Sequence, residues 1–248
     1  MKVFKDYSAF YDLLYNEKDY KTEANYIHEL IENDVPKAKS ILNLGCGTGN
    51  HDFLLAEKGY EIKGIDLSEE MIHIANKKLS INKVKENLSF ETGNARTLRV
   101  EKKFDVVISL FHVMSYQVKN EEINQVFETV NFHLKAGGIF IFDCWYGPGV
   151  LTDLPTVRHK VLENEALKIH RIANPVMHLD ENYTDVNYTI LVNNKKDQSS
   201  YEIKETHKMR YLFIPELETI CSLKGFKLKH LKDNIFSNNW NALFVCQK

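Results

Sequence analysis

Short runs of apolar residues alternate with segments of helical periodicity between residues 40 and 143. The run Val106-Val107-Ile108 contains no polar position, which is typical of a parallel strand buried on both faces. Strands and helices that alternate at this spacing predict a doubly wound sheet with helices on both sides. The strands are expected at 40–44, 60–65, 88–91, 104–110 and 139–143, and the helices at 50–58, 68–79 and 120–134.

The pattern changes after residue 145. No helical period is visible between residues 157 and 212, where β-rich stretches flank a polar turn. Pro215 starts a last helix, and a closing β pair follows it. We therefore predict an α/β fold: a Rossmann-like, doubly wound, seven-stranded sheet with an antiparallel β insertion after strand 5. The expected units are an N-terminal helical lid at 1–35, a core at 36–145 and 213–248, and the insertion at 146–212.

A glycine loop follows the first of these strands. Residues 45–50 read Gly-Cys-Gly-Thr-Gly-Asn, and Asp66 ends the next strand. On an open α/β sheet, a loop and an acid in this order hold a nucleoside-like cofactor, with the acid on the ribose hydroxyls. Asn50 stands where a dinucleotide fingerprint has glycine or alanine, which disfavours a nicotinamide cofactor. S-adenosylmethionine carries no phosphate and needs only close backbone approach, so it is the predicted cofactor.

The residues expected to contact this cofactor lie in the loops after the first four strands. Small residues allow backbone approach, an acid meets the ribose, the segment after strand 3 meets the adenine amino group, and apolar side chains enclose the ring. In that order they are Gly45, Cys46, Gly47 and Gly49, then Asp66, then Asn94 and Ala95, and finally Leu67, Met71 and Leu110. The three apolar residues are also of the type that ordinarily fills a core.

These features resemble the class I S-adenosylmethionine-dependent methyltransferases. Segments outside the core resemble the amino-sugar N,N-dimethyltransferases of antibiotic pathways and related small-molecule methyltransferases, including relatives in surface-polysaccharide pathways. The likeness spans nearly the whole chain, and it makes the β insertion a cap over the acceptor. The segments that carry it are 11–15 (Tyr-Asp-Leu-Leu-Tyr), 18–20 (Lys-Asp-Tyr), 49–51 (Gly-Asn-His), 143–146 (Asp-Cys-Trp-Tyr) and the strand with His207.

The resemblance also implies roles for further residues. Tyr20 would reach the carboxylate of the cofactor. Tyr15, Trp145 and Tyr146 would border the acceptor. The chain departs from the family pattern after the fourth strand, where residues 111–114 read Phe-His-Val-Met instead of small residues. Because this loop faces the acceptor side, the resemblance leaves the identity of the acceptor open.

His112 is the predicted general base. It follows the fourth strand, at the sheet edge where ligands bind, and imidazole ordinarily titrates near neutral pH. An amine must be neutral when it attacks, and a histidine, a carboxylate or water can take its proton. The alternative is that His112 only shapes the pocket. His207 and His178, both in the insertion, are expected either to line the acceptor side or to be structural.

Charge and cysteine content limit the partners and the cellular setting that we expect for this chain. The chain of 248 residues has 32 lysines and arginines against 34 acidic residues, so no basic excess favours nucleic acid. Its first residues lack the apolar core of a signal peptide, and no apolar run is long enough to span a bilayer. The four cysteines form no C-x-x-C pair, so no metal site is expected and a cytoplasmic setting fits. A small-molecule acceptor is the expected partner, with a homodimer left open.

The sequence thus predicts methyl transfer from S-adenosylmethionine to a small polar acceptor. An amine of a nucleotide-linked amino sugar is the first choice, and O-methylation of a surface-glycan precursor or another small molecule is the alternative. A protein that binds the cofactor without turnover is a further candidate. A nicotinamide-dependent oxidoreductase is the last, and Asn50 argues against it.

Overall fold

The computed structural model describes residues 10–231, 235–236 and 240–248. Its strands are β1 (Ser40–Leu44), β2 (Glu61–Asp66), β3 (Leu88–Thr92), β4 (Phe104–Ser109), β5 (Leu134–Tyr146), β6 (Arg158–Glu163), β7 (Leu167–His178), β8 (Tyr183–Asn194), β9 (Ser200–Leu212), β10 (Lys227–Leu231) and β11 (Asn241–Gln247). The core sheet has the order β3-β2-β1-β4-β5-β11-β10. Strands β1 to β5 are parallel, and β11 runs antiparallel between β5 and β10. The predicted doubly wound, seven-stranded sheet is confirmed.

Helices cover both faces of this sheet. They are α1 (Tyr11–Leu14), α2 (Tyr20–Asp34), α3 (Asn50–Ala56), α4 (Glu69–Ser80), α5 (Asn120–His133), α6 (Gly147–Thr152) and α7 (Ile214–Leu223). Successive side chains along a strand point to opposite faces of the sheet. In β1, Ile41 therefore packs in the apolar cluster with α2 to α4, and Leu42 packs in the cluster with α5 and α7. None of the described helices is both long and apolar enough to cross a membrane.

Strand β5 is longer than the sequence predicts. It begins at Leu134 rather than at residue 139, because Gly137 and Gly138 lie inside the strand instead of breaking it. Gly137 has a left-handed backbone (φ 75), and a Cβ on Gly138 would lie 2.5 Å from the Asp105 carbonyl oxygen. Two glycines therefore let the strand cross an irregular stretch of pairing with β4.

The antiparallel insertion continues the sheet at the carboxyl end of β5. Strand β4 ends at Ser109, opposite Phe142, which leaves the last residues of β5 open on that side. There β9 pairs in parallel with β5 at Trp145 and Tyr146, and β8, β7 and β6 follow as an antiparallel meander. The division into lid, core and insertion as separate units stays a prediction, and residues 1–9 of the predicted lid lie outside the described residues.

The helix α1 packs on the insertion and also contacts the glycine loop of the core. Its neighbour Phe10 and its own Leu14 pack into an apolar cluster on one face of the insertion sheet, with Ile169 and Ile190. The polar side of α1 faces the glycine loop after β1, where Asp12 accepts a hydrogen bond from Thr48 Oγ1 at 2.7 Å. This helix thus lies between the insertion and the carboxyl ends of the core strands.

Candidate active site

A cavity of about 1220 Å³ lies at the carboxyl ends of β1 to β5, between the core sheet and the insertion. Pockets for a single small ligand occupy roughly 300 to 1,000 Å³, so this space can hold two molecules together. The cavity brings together most of the residues that the sequence singled out. They are Tyr15, Tyr20, Gly45, Cys46, Gly47, Asp66, Leu67, Met71, Asn94, Ala95, Leu110, His112, Trp145 and His207.

Two predicted contact residues do not line the cavity, and these assignments are corrected. Gly49 is the N-cap of α3 with φ 80, and a Cβ there would lie 2.7 Å from the Phe90 ring, so it serves packing under the loop. Tyr146 packs against the buried apolar cluster below the sheet, with its ring centroid 5.6 Å from that of His230. His178 does not line the cavity either, and its Nε2 lies 3.0 Å from Asp185.

The glycines of the loop after β1 have different tasks. Gly47 has φ 55, and a Cβ on it would meet no atom within 4 Å, so this residue opens onto the cavity. Gly45 has φ 86, and its Cβ would lie 2.4 Å from the Val113 side chain. The missing side chain of Gly45 therefore makes room for Val113, whereas the sequence interpretation had assigned that space to a ligand.

Asp66 at the end of β2 fixes this loop and faces the cavity. Its Oδ2 accepts from the Gly47 amide at 2.8 Å and its Oδ1 accepts from the Ser68 amide at 2.9 Å. Burial raises the pKa of this carboxyl, although the backbone hydrogen bonds oppose the rise. Each oxygen keeps a second lone pair, so the carboxylate can also accept from ligand hydroxyl groups.

A second buried acid lies behind the same loop. Asn43 lines the cavity, and its Nδ2 donates to Asp52 Oδ2 at 2.9 Å. Within the described part of the chain, Oδ1 of Asn43 and Oδ1 of Asp52 are buried without a hydrogen-bond partner. Unmet acceptors beside a cavity are costly unless a donor arrives, so they suit a ligand that carries one.

Tyr20 contributes a hydroxyl group to the same end of the cavity. It begins α2, where Asp19 caps the helix by accepting from the Thr22 amide, and its ring lies edge-on to His51 at 5.0 Å. Burial raises the pKa of Tyr20 to about 12, so the phenol stays protonated at neutral pH. A neutral phenol can donate a hydrogen bond to a carboxylate ligand.

His112 is held in an unusual backbone conformation. Phe111 and His112 both lie in the left-handed region, with φ 66 and 65, which costs roughly 1 to 3 kcal/mol for each non-glycine residue. The buried Asp143 secures the loop, because its Oδ1 accepts from the His112 amide at 3.1 Å and its Oδ2 lies 2.7 Å from His112 Nδ1. Burial would raise the pKa of Asp143, but the charge and hydrogen bonds of His112 hold it below its usual value.

The insertion supplies a second wall that sequence reasoning missed. The guanidinium of Arg171 lies 5.7 Å from the ring centre of Tyr15 and 5.5 Å from that of Tyr188, and Arg158 lies 4.4 Å from the Trp240 ring. All of these residues line the cavity. Alternation along β7 could have placed Arg171 on the face of Ile169, but only the pairing of β6 to β8 shows that this face meets the cavity.

His207 lies at the junction of the two walls. It is buried, its Nδ1 lies 2.8 Å from the hydroxyl of Tyr116, and its Nε2 lies 3.2 Å from Glu205. Tyr116, which the sequence interpretation did not select, lines the cavity with it. The predicted place of His207 beside the acceptor space is thus compatible with the structure, and its role stays a prediction.

Comparisons with known proteins show which proteins this chain resembles. A family model described as a methyltransferase domain matches residues 41–138. A dTDP-3-amino-3,4,6-trideoxy-alpha-D-glucopyranose N,N-dimethyltransferase from Streptomyces venezuelae is 26% identical over 229 residues, which cover 92% of each chain. The crystal structure of DesVI from the same species is 25% identical, with a TM-score of 0.83 and 99% of each chain covered. The chain is an S-adenosylmethionine-dependent methyltransferase.

A further solved structure extends the similarity of the fold. SAM-bound CalS10, an amino pentose methyltransferase from Micromonospora echinaspora, is 20% identical with a TM-score of 0.79, and 100% of this methyltransferase and 98% of CalS10 are covered. Independently of these similarities, the cavity residues of this methyltransferase fit the cofactor. A Cβ on Gly47 would meet no atom, the Asp66 oxygens have lone pairs that could accept from ribose hydroxyls, and the unmet oxygen of Asn43 would suit a cationic donor.

Proposed function

We propose that this methyltransferase transfers a methyl group to the amine of a small polar acceptor, a nucleotide-linked amino sugar. The observation that carries the proposal is the pair Arg158 and Arg171 on the insertion wall of the cavity. Guanidinium groups recognise phosphate oxygens in a bidentate manner, and the neighbouring Tyr188 and Trp240 rings can pack on a sugar or a base. The dTDP-amino-sugar relatives of similar length support the same substrate class.

The reacting group would lie between the two walls. Bound S-adenosylmethionine would supply an electrophilic methyl group. His112 faces this part of the cavity, and Asp143 holds its Nδ1 side, so Nε2 is the ring nitrogen that would take the proton lost by the amine. General-base catalysis of this kind contributes about 10²- to 10⁴-fold to a rate. The aromatic side chains of Tyr15 and Trp145 would exclude water and orient the acceptor.

The test is a screen for S-adenosylhomocysteine release with three matched acceptors. They are thymidine diphosphate 3-amino-3,6-dideoxyglucose, the corresponding 3-hydroxy sugar nucleotide, and the amino sugar without nucleotide. We expect turnover of the first, little of the second, and a much higher KM for the third. Preferred turnover of the hydroxy compound would establish the O-methyltransferase alternative. If the protein binds the cofactor but turns over none of a broad set of acceptors, the alternative of a cofactor-binding protein without catalytic activity would be supported.

Variants separate the roles within that screen. Arg171→Gln should raise KM for the nucleotide-linked sugar without changing KM for the unlinked one, because only the former carries phosphate. His112→Gln should lower kcat while the affinity for S-adenosylhomocysteine stays the same. If the wild type and His112→Gln have equal kcat, His112 is not the general base and only shapes the pocket. The cytoplasmic location, the absence of a nucleic-acid partner and a homodimer stay predictions, of which the last is checked by sedimentation.

A further inference from the structure

Asp52, the acid hydrogen-bonded to Asn43, has no task in the reaction described above. Asp52 lies on α3 and is fully buried, with its side chain bonded to Asn43 through Oδ2. One oxygen of each side chain has no hydrogen-bond partner among the described residues. Two unmet acceptors in one buried pair would be a considerable cost for an ionised acid, because a buried carboxylate requires donors or a cation.

A single proton removes this conflict. A carboxylic acid has one donor and one acceptor oxygen, and the amide of asparagine has the complementary pair. The structure shows the first bond of such an acid–amide pair, from Asn43 Nδ2 to Asp52 Oδ2. Burial raises the pKa of Asp52 to about 7, with the hydrogen bond from Asn43 opposing the rise.

The charges around Asp52 do not favour its ionised form. The carboxyl of Asp66, beside the glycine loop, raises the pKa of Asp52 further by charge repulsion. Burial raises the pKa of the neighbouring Cys46 thiol, which therefore stays uncharged and offers no counter-charge. On the α2 side, Glu23 is paired with His51 at 2.7 Å, and strand β3 presents the uncharged Phe90 against α3. A cation that enters the cavity beside Asn43 is therefore what would change the state of Asp52.

We propose that Asp52 is a neutral acid in the cofactor-free protein, and that it ionises when Asn43 receives the ammonium group at the amino-acid end of the cofactor. Asn43 lines the cavity and would accept from the ammonium through Oδ1, while Asp52, one bond behind it, supplies the compensating charge. The balance is simple: the carboxyl proton leaves to solvent and no covalent bond to the cofactor forms or breaks. Asp52 is thus a positioning residue that links cofactor binding to pH.

The experiment compares three ligands of the intact protein by calorimetry between pH 6 and pH 8. S-adenosylhomocysteine and decarboxylated S-adenosylmethionine carry an amine, whereas 5′-methylthioadenosine has the same adenosine part without it. The affinity for the first two should fall about tenfold from pH 8 to pH 6, since only the ionised acid accommodates the cation. The affinity for 5′-methylthioadenosine should stay constant, which also controls for Asp66 at the ribose.

Proton release gives an independent measurement. At pH 7, binding of S-adenosylhomocysteine should release about half a proton, read from the dependence of the heat on the ionisation enthalpy of the buffer. Asp52→Asn should abolish both effects. Asp105→Asn, near the amino end of β4 and away from the cavity, should keep them. If wild-type affinities for S-adenosylhomocysteine and 5′-methylthioadenosine change in parallel with pH, the inference is overturned. If neither ligand binds, the cofactor assignment itself fails.

Discussion

The buried carboxyl of Asp52 should make the cofactor-free protein less stable as the pH rises. An exposed aspartate in the unfolded chain has a pKa of about 4, whereas burial raises the pKa of Asp52 in the folded state to about 7. Between these values the unfolded chain has lost the proton that the folded protein keeps, so deprotonation favours unfolding. The stability from this acid is therefore full below pH 4 and is lost as the pH rises through 7.

The magnitude follows from the two pKa values. From pH 5.5 to pH 8.5, the wild type should lose about 2 kcal/mol of unfolding free energy relative to Asp52→Asn, which cannot ionise. The assay is urea denaturation without ligand at several pH values. The matched control is Asp105→Asn, because Lys135 and Ser40 hold the pKa of Asp105 at about 2 despite partial burial. Its difference from the wild type should be constant over this range. Parallel curves for the wild type and Asp52→Asn would show that Asp52 is ionised in the folded protein throughout.

Three further substitutions probe the glycine loop and its acid. Asp66→Ala should weaken S-adenosylhomocysteine binding roughly tenfold to a hundredfold in calorimetry, since hydrogen bonds to a charged group contribute about 1.5 to 3 kcal/mol; an unchanged Kd would reject its place at the ribose. Gly49→Ala should lower the melting temperature, because its left-handed backbone and the Phe90 ring 2.7 Å away both oppose a side chain, at a cost of about 1 to 3 kcal/mol. A Cβ on Gly47 would meet no atom within 4 Å, so Gly47→Ala should lower the melting temperature less than Gly49→Ala does. It should weaken cofactor binding more than Gly49→Ala does. The reverse order of the two glycine variants would contradict the tasks assigned to them.

Much of the cofactor half of the site was readable from the sequence because it depends on local order. A strand, a glycine loop and an acid at the end of the next strand are close in the chain, and parallel strands bring their carboxyl ends together. The places of Asp66 and His112 followed from that rule. Gly49 did not, because only packing shows that its missing Cβ is filled by Phe90 rather than by a ligand.

The acceptor half required tertiary structure. Arg171 reaches the cavity because β6 to β9 pair in one register and join β5 past the end of β4, a long-range arrangement that alternation along one strand does not specify. The same applies to Asp52, since its burial and its bond to Asn43 come from the packing of α3 on β1. The sequence alone determined the fold class and the cofactor, which rest on short-range patterns of polarity and glycine. Tertiary structure decided which side chains share one cavity and which acid is left without a counter-charge, because those depend on contacts between distant segments.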